Sequence, residues 1–363
     1  MKILNQQIFE NKEAAALPGL MESGGLPALV SGLSGIHRVN LAAALYEKLE
    51  LPIFVVCPDD SAAESFTRDL EAMLGRPVNT LYSRDFTFYP SLAASREAEQ
   101  KRLYVLNALR CGESPVTVAT VSALMQRAIP PQTLGKAAFT VKDGEPCPPE
   151  ELEAALLRCG YTRCEQVEGT GQFARRGGII DFFSPAYPEP VRIEFWGDDI
   201  DSMGFFDIKT QRRTESVEIC RILPAAESLT TLAIGGTESL TDALRAAADK
   251  CARHKSSQQL RQLEQNLRAD IERLEQNVKI EYADRYMPFL YEKASGADYI
   301  PEEAVVFLDQ PPRCADRAKG FAKQLGDDLS ELVKEGMVAT DAPSFRISWD
   351  ELTNVLSEHA LYM

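Results

Sequence analysis

At 363 residues the chain is too long for a single compact core, so two or three domains are expected. Its 45% hydrophobic and 26% charged residues are ordinary for a globular protein, and no apolar run nears the ~20 residues needed to span a bilayer, which argues against a membrane partner. The net charge of −15, with no basic run, argues against a tight, sequence-independent grip on nucleic-acid phosphates.

The start, MKILNQQIFENKEAA, has no apolar core of the kind a cleavable leader carries. Residues 26–125 then alternate short apolar runs with amphipathic stretches. Leu29-Val30, LPIFVVCP (51–58) and PVTVAT (115–120) read as buried parallel strands, with helices over 37–49, 60–73 and 95–110. Asp59 or Asp60, and Ser122, are the expected helix N-caps. The pattern predicts an α/β layer, the first part of which covers residues 1–137.

Near residue 138 the texture changes. DGEPCPPEE (143–151) reads as a loop feeding a short helix, and residues 170–224 as strands and turns punctuated by Gly177-Gly178, Pro185, Pro190 and Gly197-Asp198. Residues 138–225 are therefore expected to form an inserted, mostly antiparallel β domain. From 226 to 363 the α/β part resumes. Leu260, Leu263, Leu267, Ile271, Leu274 and Val278 form an a/d-like seam, fitting a long helix laid on the rest of the chain or a coiled-coil dimer. AVVFLDQPP (304–312) restores a buried strand, and SWDELTNVLSEHALYM is expected to close in a capped helix. Eight cysteines without a C-x-x-C pair suggest reduced thiols in a cytoplasmic protein. The nearest pair, Cys159 and Cys164, has no histidine close by, so no metal site is expected.

Two patterns carry possible chemistry. GLSGIHRV (32–39) sits between a strand and a helix, as a phosphate-cradling loop does, but departs from G-x-x-x-x-G-K-[ST]. After Gly32 and Gly35, His37 adds bulk, Arg38 keeps a charge but not a lysine's shape, and Val39 offers magnesium no oxygen. Asp309 ends a strand where a second motif would hold magnesium, and Gln310 follows where a water-polarising glutamate would stand. Together these suggest a nucleotide fold that no longer hydrolyses; alternatively, Gly32 and Gly35 are simple turn glycines. The second pattern is VRIEFW (191–196). A two-residue period puts Val191, Ile193 and Phe195 on a core face and Arg192, Glu194 and Trp196 on the other. Arginine and tryptophan are enriched where binding energy concentrates, and Arg175 and Arg176 could extend that patch across a hairpin. A tryptophan tucked under a loop is the other reading.

The run EGTGQFARRGGIIDFFSPAYPEPVRIEFWGDDIDSMGFFDIKTQRR resembles the UvrB-homology region of bacterial transcription-repair coupling factors (Mfd). TVSALMQRAIPP (120–131) and ADYIPEEAVVFLDQPPR (297–313) resemble the same family, so the likeness spans nearly the whole chain. It implies a discontinuous, degenerate RecA/helicase-like domain and a β insertion like the UvrA-binding domain of UvrB, whose role is to recruit UvrA to stalled transcription. By position, the family's UvrA-contacting residues fall on Arg176, Arg192 and Trp196, the last usually phenylalanine. The family's Asp-Glu-Pro is Asp309-Gln310-Pro311 here. SRDFTFYPSLAASREAEQKR (83–102) is too short for the hairpin with which UvrB probes damaged DNA. The resemblance further implies a longer parent protein, an ATP- and magnesium-dependent DNA translocase that also engages RNA polymerase and double-stranded DNA. This chain would then need no cofactor of its own. An ATP-driven motor and a DNA-binding scaffold are the competing functions.

Overall fold

The computed structural model describes residues 7–88, 96–253, 257–280, 282–339, 344–357 and 360–363. An N-terminal helix α1 (Lys12–Glu22) precedes β1 (Ala28–Leu29), α2 (Gly35–Leu49), β2 (Ile53–Cys57), α3 (Asp60–Leu74), β3 (Asn79–Leu81), α4 (Glu97–Arg110), β4 (Val116–Thr120), α5 (Val121–Met125) and α6 (Pro131–Ala137). The side chain of Asp59 caps α3 by accepting from the Ala62 N–H, and Asp60 is already helical. Thr120, not Ser122, caps α5: its hydroxyl accepts from the Ala123 N–H, which leaves Ser122 inside the helix.

The insertion opens with β5 (Phe139–Lys142) and α7 (Pro149–Arg158). Seven strands follow: β6 (Thr162–Arg163), β7 (Gln172–Arg176), β8 (Ile179–Phe182), β9 (Val191–Trp196), β10 (Asp199–Phe206), β11 (Arg213–Ser216) and β12 (Ile219–Ile222). Strands β6 to β11 form one sheet in the order β11-β10-β9-β8-β7-β6, antiparallel except for the β6–β7 pair. Antiparallel pairing of β5 with β12 brings the two ends of the insertion together. One face of the larger sheet packs Phe173, Ile180, Phe182, Val191 and Ile193 against Leu152 and Leu156 of α7.

The chain then returns through α8 (Gly236–Ala252) and α9 (Gln258–Glu275), β13 (Val305–Leu308), α10 (Pro311–Lys334), α11 (Trp349–Leu356) and β14 (Ala360–Tyr362). The principal sheet is parallel throughout, in the order β1-β14-β13-β2-β4-β3. Burial on both faces explains the uninterrupted apolar runs of β2 and β13, whereas β1 is an edge strand whose Leu29, expected to be buried, is 73% exposed because only β14 flanks it. Ile53, Val55 and Cys57 of β2 meet Val39, Leu41 and Phe66 from α2 and α3 on one side. Phe54 and Val56 meet the layer that holds Leu103 and Leu106 of α4 on the other. Leu263, Leu267, Ile271 and Leu274 of α9 pack with Leu240 and Leu244 of α8 in that same layer, so the seam is filled within the chain. Val278 lies past the helix end and is exposed, and so is not part of that seam.

The end of the chain departs from the expected single helix. Helix α11 stops at Leu356, and residues 360–362 form β14, inserted between β1 and β13. Of the segment 83–102, residues 89–95 lie outside the described residues, as do residues 1–6.

Candidate functional site

The two patterns lie far apart in the fold. The first is at the carboxyl ends of the parallel strands, where α/β folds present their ligands. Gly32 has φ +82°, a conformation natural to glycine, and the chain turns there from β1 toward α2. The N–H groups of His37 and Arg38 donate to the Ser34 carbonyl at 3.0 and 3.2 Å, closing the first helical turn. His37 Nδ1 lies 2.9 Å from the Ser34 hydroxyl. Val39 is buried in the core between α2 and the sheet. Arg38 Nη1 lies 2.8 Å from Asp309 Oδ1, and the arginine side chain is only 17% exposed. Burial pushes the Asp309 carboxyl above its usual range, and the Arg38 charge pulls against that.

Further side chains close the arrangement. Gln310, at φ +53°, donates from Nε2 to Asp309 Oδ2 at 3.1 Å and accepts from Arg313 Nη1 at 2.8 Å. Arg313 also donates to Asp59, the α3 cap, at 3.0 Å. A chain of polar contacts thus joins α2, the end of β13, α10 and α3 at the carboxyl edge of the sheet. The adjoining cleft, about 460 Å³, is lined by Leu29, Val30, Leu33, Pro311, Tyr362 and neighbours, none with a charged side chain. A magnesium triphosphate needs anion donors and free carboxylate oxygens. Here Asp309 faces Arg38 and accepts from Gln310.

The second pattern lies on the β-sheet face opposite α7. The register pairs Ala174 with Asp181, Asp181 with Arg192, and Arg192 with Gly204. Asp181, Arg192, Glu194, Trp196 and Arg176 therefore share this face. Asp181, fully buried, accepts from Arg192 Nε at 2.7 Å and Nη2 at 2.9 Å, and from Arg176 Nη2 at 2.7 Å. The Arg192 guanidinium lies over the Phe206 ring, 4.6 Å from its centroid, and contacts the carbonyl and side-chain oxygens of Gln211, each at 3.3 Å. These hydrogen bonds to Asp181 come first among the causes that raise the Arg192 pKa. Glu194 accepts from Ser202 at 3.1 Å. Trp196 stands at the end of β9 before the Gly197 turn and is 82% exposed, so it is not tucked under a loop.

Arg175 does not join this patch. Neighbouring residues of a strand point to opposite sides. Arg175 is turned toward α7, where it donates to Glu153 at 3.0 Å and pairs with Glu150. Two residues escaped the sequence reading. Asp181 is the one acid in an apolar strand, and that anomaly was a usable signal. Arg213 crosses the space above Gly204, where a Cβ would lie 2.5 Å from its Nε, and donates to Ser202 at 3.0 Å. The buried Cys159 thiol donates to the Ala137 carbonyl at 3.3 Å, and burial raises its pKa to about 11.

The fold defines the class: a parallel α/β domain carrying a β insertion, and residues 139–227, which span that insertion and its exit, match the UvrB interaction domain family. The chain is 30% identical over 344 residues to the transcription-repair-coupling factor of Bacillus subtilis, an alignment covering 92% of this chain and 28% of that protein. It is 29% identical over 294 residues to the factor of Myxococcus xanthus (77% and 24%), and 30% over 203 residues to that of Escherichia coli (56% and 18%). The chain spans about a quarter of the length of these relatives. It belongs with the UvrB-homology module of the transcription-repair-coupling factors.

Proposed function

We propose that this chain is a non-catalytic recruitment module of transcription-coupled nucleotide excision repair, which binds UvrA through the Arg176, Arg192, Glu194 and Trp196 face of its β domain. The observation that carries the reading is Trp196, a large apolar ring 82% exposed on the same sheet face as two arginines in a protein of net charge −15. An exposed aromatic sharing a face with arginine is the composition of an interface hot spot. The match to the UvrB interaction domain family supports the same reading. The α/β domain is then scaffold. Its Arg38–Asp309 pair and apolar cleft argue against ATP turnover by this chain. ATP and magnesium, RNA polymerase and double-stranded DNA belong on this view to other parts of a longer protein.

The test is calorimetric titration of purified UvrA into the chain. Arg192→Ala with Trp196→Ala should weaken binding by about 2–4 kcal/mol, the range of interface hot spots. Trp196→Ala alone should leave folding stability within about 0.5 kcal/mol, as expected for an exposed side chain. Unchanged UvrA affinity in the double variant refutes the reading. Phosphate release from ATP that vanishes in Arg38→Ala would favour the enzyme instead.

A further inference from the structure

We propose that Asp181 is a positioning residue for UvrA recognition, an inference that rests on the recruitment reading above. Its carboxylate lies beneath the surface, fully buried, and cannot reach a partner. It nevertheless sets the geometry of both arginines that can. It grips Arg192 in a two-point fork at 2.7 and 2.9 Å and takes a single bond from Arg176 at 2.7 Å. A fork fixes the plane of a guanidinium as well as its position. Phe206 beneath and Gln211 alongside complete the clamp, leaving the Arg192 side chain 16% exposed. Arg176, held at one nitrogen, remains 49% exposed.

The charges show what the surface is set to accept. Two guanidinium groups share one carboxylate, so the trio carries one net positive charge, which Glu194 on the same face partly offsets at Arg192. Asp181 and Gln211 take up most of the Arg192 donors, whereas Arg176 gives only one nitrogen to Asp181 and keeps its other donors for a ligand. The chemical class that fits is a carboxylate of an aspartate or glutamate on UvrA, seated against Arg176 with Arg192 as a fixed backing plate. Trp196, farther along the same face, supplies apolar contact. In this arrangement the two arginines differ in role: Arg176 makes the contact and Arg192 holds the field in place.

The experiment is a double-mutant cycle on the full chain with purified UvrA, read as dissociation constants at two salt concentrations. Asp181→Asn keeps the shape and removes the charge that holds the fork. It should weaken UvrA binding at least tenfold. In that background Arg192→Ala should add less than twofold, because the arginine is no longer positioned. A residue acting only on stability would leave the Arg192→Ala penalty intact in both backgrounds. Gln211→Gly is the second variant, should Asp181→Asn fold poorly. It removes one side of the clamp at a residue whose φ of +58° glycine adopts readily, and should cost two- to fivefold in affinity. Normal binding by Asp181→Asn and Gln211→Gly alongside weakened binding by Arg192→Ala, or full additivity in the cycle, overturns the positioning role while sparing the recruitment reading. If Arg176→Ala and Arg192→Ala also bind normally, the recruitment reading falls, and this inference with it.

Discussion

Arg38 shows how one side chain sets the chemistry of its surroundings. A lysine in its position would need room to reach a phosphate, whereas the longer, forked arginine lies 2.8 Å from Asp309 and closes over it. Removing it should strand a buried carboxylate. Breaking a buried ion pair costs roughly 3–5 kcal/mol, and the partial exposure of Arg38 puts the expected loss for Arg38→Ala near the lower limit, about 3 kcal/mol at pH 7. The pH dependence has a definite sign. The folded Asp309 has its pKa raised by burial, so the folded state takes up this proton more readily than the unfolded chain. Without Arg38 that tendency grows. The Arg38→Ala deficit should therefore shrink as the pH falls through the folded Asp309 pKa, and Asp309→Asn in the same chain should abolish the trend. Urea unfolding at pH 7 and pH 5 measures both effects; a deficit independent of pH would show that Asp309 is not the stranded group.

At the scale of elements, stability depends on caps as much as on strands. Helix α11 begins with a reciprocal capping box: the Ser348 hydroxyl accepts from the Glu351 N–H at 3.1 Å, and the Glu351 carboxylate accepts from the Ser348 N–H at 2.7 Å. The chain leaving α11 supplies β14, so this cap also anchors a strand inside the principal sheet. Ser348→Ala should cost about 1 kcal/mol, measured by thermal unfolding. Hydrogen bonds from Lys293 and the Ser348 N–H lower the Glu351 pKa to about 2. Its contribution, reduced by solvent exposure, is complete above the ordinary carboxylate range and is lost as pH falls toward 2. What was legible in the sequence followed the same logic of signal length. Ile53–Cys57 and Val116–Thr120 are five-residue, fully buried, β-branched-rich runs between turns, and the Asp59 cap precedes a long amphipathic helix. β14 has three residues, too few for periodicity to separate them from a helix that has just ended. Arg192, Glu194 and Trp196 followed from alternation alone, and the same rule applied to Arg175 and Arg176 separates them. The clamp around Arg192 was not legible, because it brings Asp181, Phe206 and Gln211 together through sheet register and a turn.

Across the whole molecule, one buried polar cluster fixes the chain just past the insertion within the α/β domain. Arg84, in the segment after β3, donates to both oxygens of Asp284 at 2.7 and 2.8 Å and to Glu227 at 2.9 Å. Arg102 of α4 approaches the same Glu227 oxygen at 3.1 Å. Ser228 donates to Asp284 at 2.6 Å, and the Glu227 N–H donates to Glu99 at 2.8 Å. Glu227 and Ser228 lie just past the insertion, where the chain rejoins the α/β part, so the cluster pins that junction to segments on both sides of it in sequence. Burial alone would push the Asp284 carboxyl up, but the Arg84 charge and the hydrogen bonds from Arg84, Ser228 and Thr87 outweigh it and hold the group below the usual range. Its stabilisation is therefore complete above the unfolded carboxylate value near ~4 and is lost as the pH falls through the lower folded value. Glu99 runs the opposite way: burial, with the Asp284 charge adding to it, raises its pKa against the pull of Arg84. Asp284→Ala leaves Arg84 buried with half its partners and should cost roughly 3–5 kcal/mol at pH 7. Because the lost contacts join Arg84, Thr87 and Ser228, all in the α/β part, the variant should lower the melting temperature of that part, measured by calorimetry. A variant that melts at the parent temperature would mean that the junction is held by its apolar packing, and that the ion cluster only fills it.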